Sequence, residues 1–180
     1  MAGERSLDRR IQVTLDYAVE ARPGSKDELL SYIRSKEPTN FVYYWRDRAT
    51  GESRSKFSVD AMDHVIDLCI KLGLLDFSAS RRGVTRDGVL VTDPVRFEAV
   101  VGRRVRKYLE DSGIAVERLE DIIGSLLRRK PAVLPTAATI WESVSGSAES
   151  LDFDEFRELL TLLGRCQQLR MSQRRLFFPG

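Results

Sequence analysis

The chain has 180 residues, 42% hydrophobic and 31% charged, and its 29 basic and 27 acidic side chains leave a net charge of +2. That composition describes an ordinary globular protein of one large domain or two small ones. It excludes the broad basic excess of a nonspecific DNA coat, and no apolar run approaches the length of a membrane span.

The opening "MAGERSLDRRIQ" lacks the apolar core of a signal peptide, so the expected location is cytoplasmic, with no membrane partner. Leu7, Ile11, Leu15 and Ala18 recur at spacings of four and three and predict a helix over about 7–20, stopped by "RPG" at 22–24. "SKDE" at 25–28 forms a capping box that opens a second helix to about Ser35, with Leu29, Leu30 and Ile33 inward. In "FVYYWRDRATGESRSKF", residues 41–57, two strand-like strips flank Ala49-Thr50-Gly51 and predict a β-hairpin or an extended loop. Ser58 then caps a third helix of about 59–73, whose Val59, Met62, Val65, Ile66, Cys69 and Leu72 make one apolar face ending at Gly73.

"LGLLDFSASRRGVTRDGVLVTD", residues 72–93, reads as a second hairpin: strips Leu74–Phe77 and Gly88–Val91 flank a turn holding Arg81, Arg82 and Arg86. Asp93-Pro94 opens a helix of about 94–111 with Phe97, Val101, Val105 and Tyr108 on one side. A further helix spans about 116–129, "KPAVLP" breaks it, and Thr136 caps a short helix containing Ile140 and a core Trp141. "LDFDEFRELLTLLG", 151–164, carries a capping box of Asp152 and Glu155, and "RCQQLRMSQRRLFFPG" reads strand, basic turn, strand.

The two halves share a plan. At an offset of 91 residues Gly73 meets Gly164, Leu72 meets Leu163, Cys69 meets Leu160 and Val65 meets Phe156, which suggests a duplicated motif or architecture. The order of three helices and a two-stranded hairpin resembles a winged helix-turn-helix domain, and the chain resembles two of them in tandem. The expected fold class is therefore mainly α with small β-hairpins (α+β). Residues 1–93 would form one winged-helix-like domain with a 36–57 insertion, 94–112 a connecting helix, and 113–180 the second domain. The insertion departs from a minimal winged helix.

The resemblance implies DNA binding, with the third helix in the major groove and the wing on the backbone or minor groove. Charge tests that implication, because phosphates demand positive surfaces. The outward stripe of the first third helix is Asp60, Asp63, His64, Asp67 and Lys71, and that of the second carries Asp154, Glu155 and Glu158 against Arg157 and Arg165. Major-groove readout by either helix is disfavoured. The cations collect in the wings, as Arg81, Arg82 and Arg86 and as Arg170, Arg174 and Arg175, and on the connecting helix, as Arg103, Arg104 and Lys107. These nine are the expected nucleic-acid contacts, although the connecting-helix run also fits a plain solvated face.

Tyr44, Trp45, Arg46 and Arg48 form a second candidate set, for base stacking or for a protein partner. The alternative is that Phe41, Tyr43 and Trp45, on one strand face, cover the first domain's core and leave Tyr44 and the arginines exposed. Cys69 and Cys166 have no CxxC partner, and His64 is the only histidine. No metal, no cofactor and no enzymatic chemistry is therefore expected. Asp60, His64 and Asp67 do have helical ligand spacing, a pattern that is mostly coincidence. The function expected is a non-enzymatic DNA-binding regulator or accessory subunit of a DNA-processing complex. The alternative is a protein–protein adaptor similar in plan to kleisin-interacting tandem winged-helix proteins. The expected partners are DNA, a larger protein, and in principle a second copy of the chain.

Overall fold

The computed structural model describes residues 6–78, 83–129, 135–148, 150–166 and 168–169. It is mainly helical with two small antiparallel two-stranded sheets, and the chain divides into two compact units, Met1–Arg96 and Phe97–Gly180. No helix among the described residues is long and apolar enough to cross a membrane.

The first unit contains α1 (Leu7–Ala21), α2 (Lys26–Lys36), β1 (Val42–Arg46), β2 (Ser53–Phe57), α3 (Val59–Lys71), β3 (Leu75–Asp76), β4 (Gly83–Val84) and α4 (Arg86–Val91). Its helix ends follow local chemistry. Arg22 and Glu37 each precede a proline, which disfavours a further helical residue, and both take left-handed conformations (φ 49° and 43°) that close α1 and α2. Ser25 accepts a hydrogen bond from the Glu28 amide and Ser58 from the Ala61 amide, so both caps lie where the sequence puts them. Gly73, at φ 67°, ends α3 in a Schellman turn, with the Leu74 amide donating to the Cys69 carbonyl at 2.8 Å.

Helix α1 is the centre of this unit and packs on α2, α3, α4 and β4. Ile11, Leu15 and Ala18 of α1 meet a core of Leu29, Ile33, Met62, Ile66 and Cys69, all fully buried. Each buried large aliphatic side chain contributes about 1.5–3 kcal/mol, so the amphipathic stripes rather than helix propensity hold the unit together.

The 72–93 stretch differs from its reading as a pair of four-residue strands. The β3–β4 pairing is two residues long on each side, Leu75 opposite Val84 and Asp76 opposite Gly83, and residues 86–91, expected as turn and strand, are the helix α4. Thr85 causes the change. Its hydroxyl accepts from the Gly88 amide at 3.1 Å and donates to the Gly73 carbonyl at 2.9 Å, capping a helix and pinning it to the end of α3. The alternation of Val89 and Val91 imitates a strand, but the cap decides the conformation.

The second unit contains α5 (Pro94–Asp111), α6 (Val116–Arg129), α7 (Ala137–Val144) and α8 (Phe153–Arg165). Asp93 accepts from the Val95 amide at 3.0 Å, and Pro94 opens α5 as expected. Helix α5 is more than a connector. The unit boundary falls inside its first turn, and its Val101, Val105 and Leu109 are fully buried in the second unit's core. Helix α7 packs on α6 and α8. Thr136 and Asp152 cap α7 and α8 through the amides of Thr139 and Glu155. Trp141 is half-buried rather than fully internal, its ring 5.0 Å from that of Phe156.

The 91-residue offset does not hold as a structural register. Gly73 terminates α3 with a positive φ, whereas Gly164 lies inside α8, which continues to Arg165. The expected second wing, with Arg170, Arg174 and Arg175, lies outside the described residues.

Candidate nucleic-acid interface

The β1–β2 hairpin of the first unit is exposed along most of its length. Its register pairs Val42 with Phe57, Tyr43 with Lys56, Tyr44 with Ser55, Trp45 with Arg54 and Arg46 with Ser53. Directly opposed residues of an antiparallel pair share a face. One face therefore holds two rows, each an aromatic side chain beside a cation: Tyr43 with Lys56, then Trp45 with Arg54. Sequence alternation puts Phe41, Tyr43 and Trp45 together, a grouping that would suit a cover for the core. The structure corrects it: Phe41 is fully buried, in a 3-10 turn before the strand, while Tyr43 and Trp45 are 42% and 46% exposed. Tyr44, facing the other way, is 57% exposed. Only the root of the hairpin reaches the core.

The tip is built by Asp47. Its carboxylate accepts from the amides of Ala49 (2.9 Å) and Thr50 (3.2 Å) and pairs with Arg54 at 3.2 Å. Arg46 donates from Nε to the Gly51 carbonyl at 2.9 Å, and Arg48 stands exposed in the turn. The root is held by α1: Arg10 Nε donates to the Asn40 carbonyl at 3.0 Å. The Arg10 guanidinium also lies 5.7 Å from the Phe41 ring centre and 5.4 Å from that of Tyr43, within cation–π range. Where β2 runs into α3, a cavity of about 290 Å³ opens between Tyr43, Trp45, Lys56, Phe57 and Asp60.

Helix α3 has a different character. Lys26, from the start of α2, reaches Asp63 at 2.9 Å and Asp67 at 2.6 Å. Burial works against its charge, but Asp67 and Asp63 outweigh it and hold the Lys26 pKa above the usual lysine range. Two of the carboxylates expected to point at solvent are thus engaged by a neighbouring helix, while Asp60 and His64 remain exposed. Among the described residues no group of three His, Cys, Asp or Glu side chains is placed to hold a metal ion.

The wing candidates separate. Arg81 and Arg82 lie outside the described residues. Arg86 is the first residue of α4 and does not belong to a wing turn. On α5, Lys107 pairs with Asp111 at 2.8 Å, and Arg106 pairs with Glu110 (3.1 Å) and with Glu117. Arg103 is exposed and Arg104 half-buried. The RRVRK run is thus heavily interleaved with acids of its own unit.

Sequence reasoning singles out Tyr44, Trp45, Arg46 and Arg48 but misses Tyr43 as an exposed ring and Arg10 as its support. The signal for the first exists: a turn at Ala49-Thr50-Gly51 sets the register that places Trp45 opposite Arg54 and Tyr43 opposite Lys56. The interaction with Arg10, about thirty residues upstream in the chain, has none. Compared with known proteins, the chain matches no family model, no curated sequence and no solved structure.

Proposed function

We propose that this chain is a non-enzymatic DNA-binding protein, a regulator or accessory subunit of a DNA-processing complex, built from two winged-helix-like units. The observation that carries the reading is the β1–β2 hairpin, which presents Arg48, Arg54 and Lys56 to solvent beside Tyr43, Tyr44 and Trp45. Phosphates are bound by such cations, and stacked or groove-inserted rings add affinity without demanding a basic protein overall. The reading moves the main interface from the wings to the hairpin. Arg81, Arg82, Arg170, Arg174 and Arg175 stay in it on charge alone, and the paired cations of α5 carry less weight.

Affinity for a labelled random-sequence DNA, measured between about 50 and 200 mM salt, tests the proposal. Removing one phosphate-binding cation lowers the slope of log affinity against log salt by about one. Arg48→Ala and Lys56→Ala are each expected to do so, whereas Lys107→Ala, whose ammonium already serves Asp111, is expected to change it less. No binding at the lowest salt would overturn the reading.

One observation favours the adaptor reading instead. Lys26 draws Asp63 and Asp67 into ion pairs, so the outward face of α3 offers polar groups and partly compensated charge. Carboxylates on that face repel phosphates, so it is better suited to a protein than to a phosphate-lined groove. A partner protein that co-purifies with the chain and survives Arg48→Ala and Lys56→Ala would support it.

A further inference from the structure

The cavity at the base of the hairpin combines two features: exposed rings on one wall, and charges of both signs around it. Its volume, about 290 Å³, is at the lower end for small organic ligands and suits one planar ring system rather than a peptide segment. Tyr43 and Trp45 supply the stacking surface. Lys56 lies on the cavity wall and Arg54 directly across the strands from Trp45. Asp60, in the first turn of α3, is the acidic residue of the lining.

Three aromatic side chains and a carboxylate also describe a cage for an alkylated ammonium group. Charge decides against that occupant. Lys56 is in the wall, the Arg10 guanidinium already lies over the Tyr43 ring at 5.4 Å, and Arg54, opposite Trp45, is paired with Asp47. A cationic ligand would meet at least as much positive as negative charge. A ligand with a flat ring and a trailing anion meets the complementary arrangement: rings to stack on, and Lys56 for the anion. Asp60 then lines the same cavity as the ring. A carboxylate only accepts hydrogen bonds, so Asp60 favours a ring that carries an exocyclic amino group.

We propose that this cavity takes one unpaired, amino-bearing nucleobase of a single-stranded nucleic acid, stacked on Trp45 and Tyr43, with a flanking phosphate at Lys56 and its amino group donating to Asp60. The proposal rests on the nucleic-acid reading above and deepens it from DNA in general to unpaired strands. A duplex keeps its bases stacked on one another and cannot fill the cavity without the cost of expelling one. Stacking of one base on an aromatic side chain is worth enough to matter: about 1–3 kcal/mol by alanine substitution, or roughly five- to 150-fold in affinity.

The experiment measures binding of the full chain to a dC dodecamer, a dT dodecamer and a duplex of the same length. Tryptophan fluorescence and the anisotropy of a labelled strand are the two readouts, for the wild-type protein and for Trp45→Ala and Asp60→Asn. The expected result is that dC binds about tenfold more tightly than either dT or the duplex, in line with the discrimination of one good base-edge contact, and quenches tryptophan emission. Trp45→Ala is expected to weaken dC binding about tenfold and to weaken duplex binding by a smaller factor. Asp60→Asn, whose amide both donates and accepts, is expected to bring dC and dT together. Equal binding of dC and duplex, equal binding of dC and dT by the wild type, or dC binding indifferent to Trp45→Ala overturns the proposal while leaving the general DNA reading standing. Absence of binding to all three nucleic acids overturns both. Preferential binding of a trimethyl-lysine peptide assigns the cavity to a cation and overturns the proposal as well. The side chains changed are on the surface, and thermal unfolding followed by circular dichroism confirms that each variant keeps the wild-type fold.

Discussion

Replacing Gly88 by alanine tests the placement of α4 where the sequence suggests a strand over 88–91. On propensity alone the change should help, because glycine inside a helix is about 0.5–1 kcal/mol worse than alanine. The surroundings oppose it. A Cβ at residue 88 would stand 2.2 Å from the Leu74 carbonyl oxygen and 2.7 Å from Val84 Cγ1. The first of these is backbone at the end of α3, held there by the Thr85 amide and hydroxyl, so relief requires α4 to move away from its cap. Overpacking of this kind costs about 1–3 kcal/mol, and with a main-chain neighbour that cannot rotate aside the upper part of that range applies. The net expectation is a loss of about 1–2 kcal/mol in urea unfolding, with the slope unchanged. Gly124→Ala is the internal control. It lies within α6, where the nearest atom to a new Cβ is the far end of Arg128 at 3.5 Å, and a gain of about 0.5–1 kcal/mol is expected. If Gly88→Ala proves as stable as the wild type, residue 88 does not pack under Leu74, and an extended strand over 88–91 becomes the better description.

Phe41→Ala should cost about 3–5 kcal/mol in the same assay, because the ring is fully buried against Phe57 and beneath Arg10; a cost below about 1 kcal/mol would mean that the hairpin root is not seated in the core. Burial pushes the Cys69 thiol well above its usual range, and burial followed by the Glu98 charge pushes Cys166 up to about 12. Both cysteines should therefore resist a disulfide-exchange reagent at neutral pH until denaturant is added, and prompt labelling of either in the native protein would contradict the packing around it. The raised Lys26 pKa means that its pairing with Asp67 and Asp63 stabilises fully below about pH 10.5 and is lost as pH rises through the higher folded value. Lys26→Met should remove that alkaline step at a neutral-pH cost of no more than about 1 kcal/mol, as befits a partly exposed pair. Residues 94–180 are expected to fold alone, and 113–180 to fail, because the shorter fragment lacks the buried Val101, Val105 and Leu109 of α5; circular dichroism with a urea titration of each fragment checks this.

Local hydrogen bonding accounts for what is legible from the sequence. Ser25, Ser58, Thr136 and Asp152 act on amides three residues ahead, so short stretches of sequence suffice to place the starts of α2, α3, α7 and α8. Thr85 obeys the same rule, yet the apolar Val-Leu-Val run after it resembles a short strand and masks the cap. The candidate site shows the other limit. Alternation says which side chains share a strand face, but not whether anything covers that face; Tyr43 and Trp45 share theirs as expected, and solvent covers it. Register also decides which cations accompany them, so Arg54 and Lys56 gain importance only once the two strands are aligned. The duplicated pattern fails for a related reason, since any two amphipathic helices align at some offset, and Gly164 looks like a terminator only until the helix is seen to pass through it.

Arg10 holds the hairpin at its root, through the Asn40 carbonyl, the faces of Phe41 and Tyr43 and a hydrogen bond donated to the Tyr43 hydroxyl at 3.3 Å. An isolated two-stranded hairpin is at best marginally stable in water, and a ligand that had to assemble one would lose affinity to the entropy of ordering it. By tying the strand base to α1, the most heavily packed helix of the unit, Arg10 moves that cost from the moment of association to the moment of folding. On the nucleic-acid reading, the guanidinium therefore acts on affinity before any ligand arrives, and its loss would appear as a slower capture and a less favourable entropy.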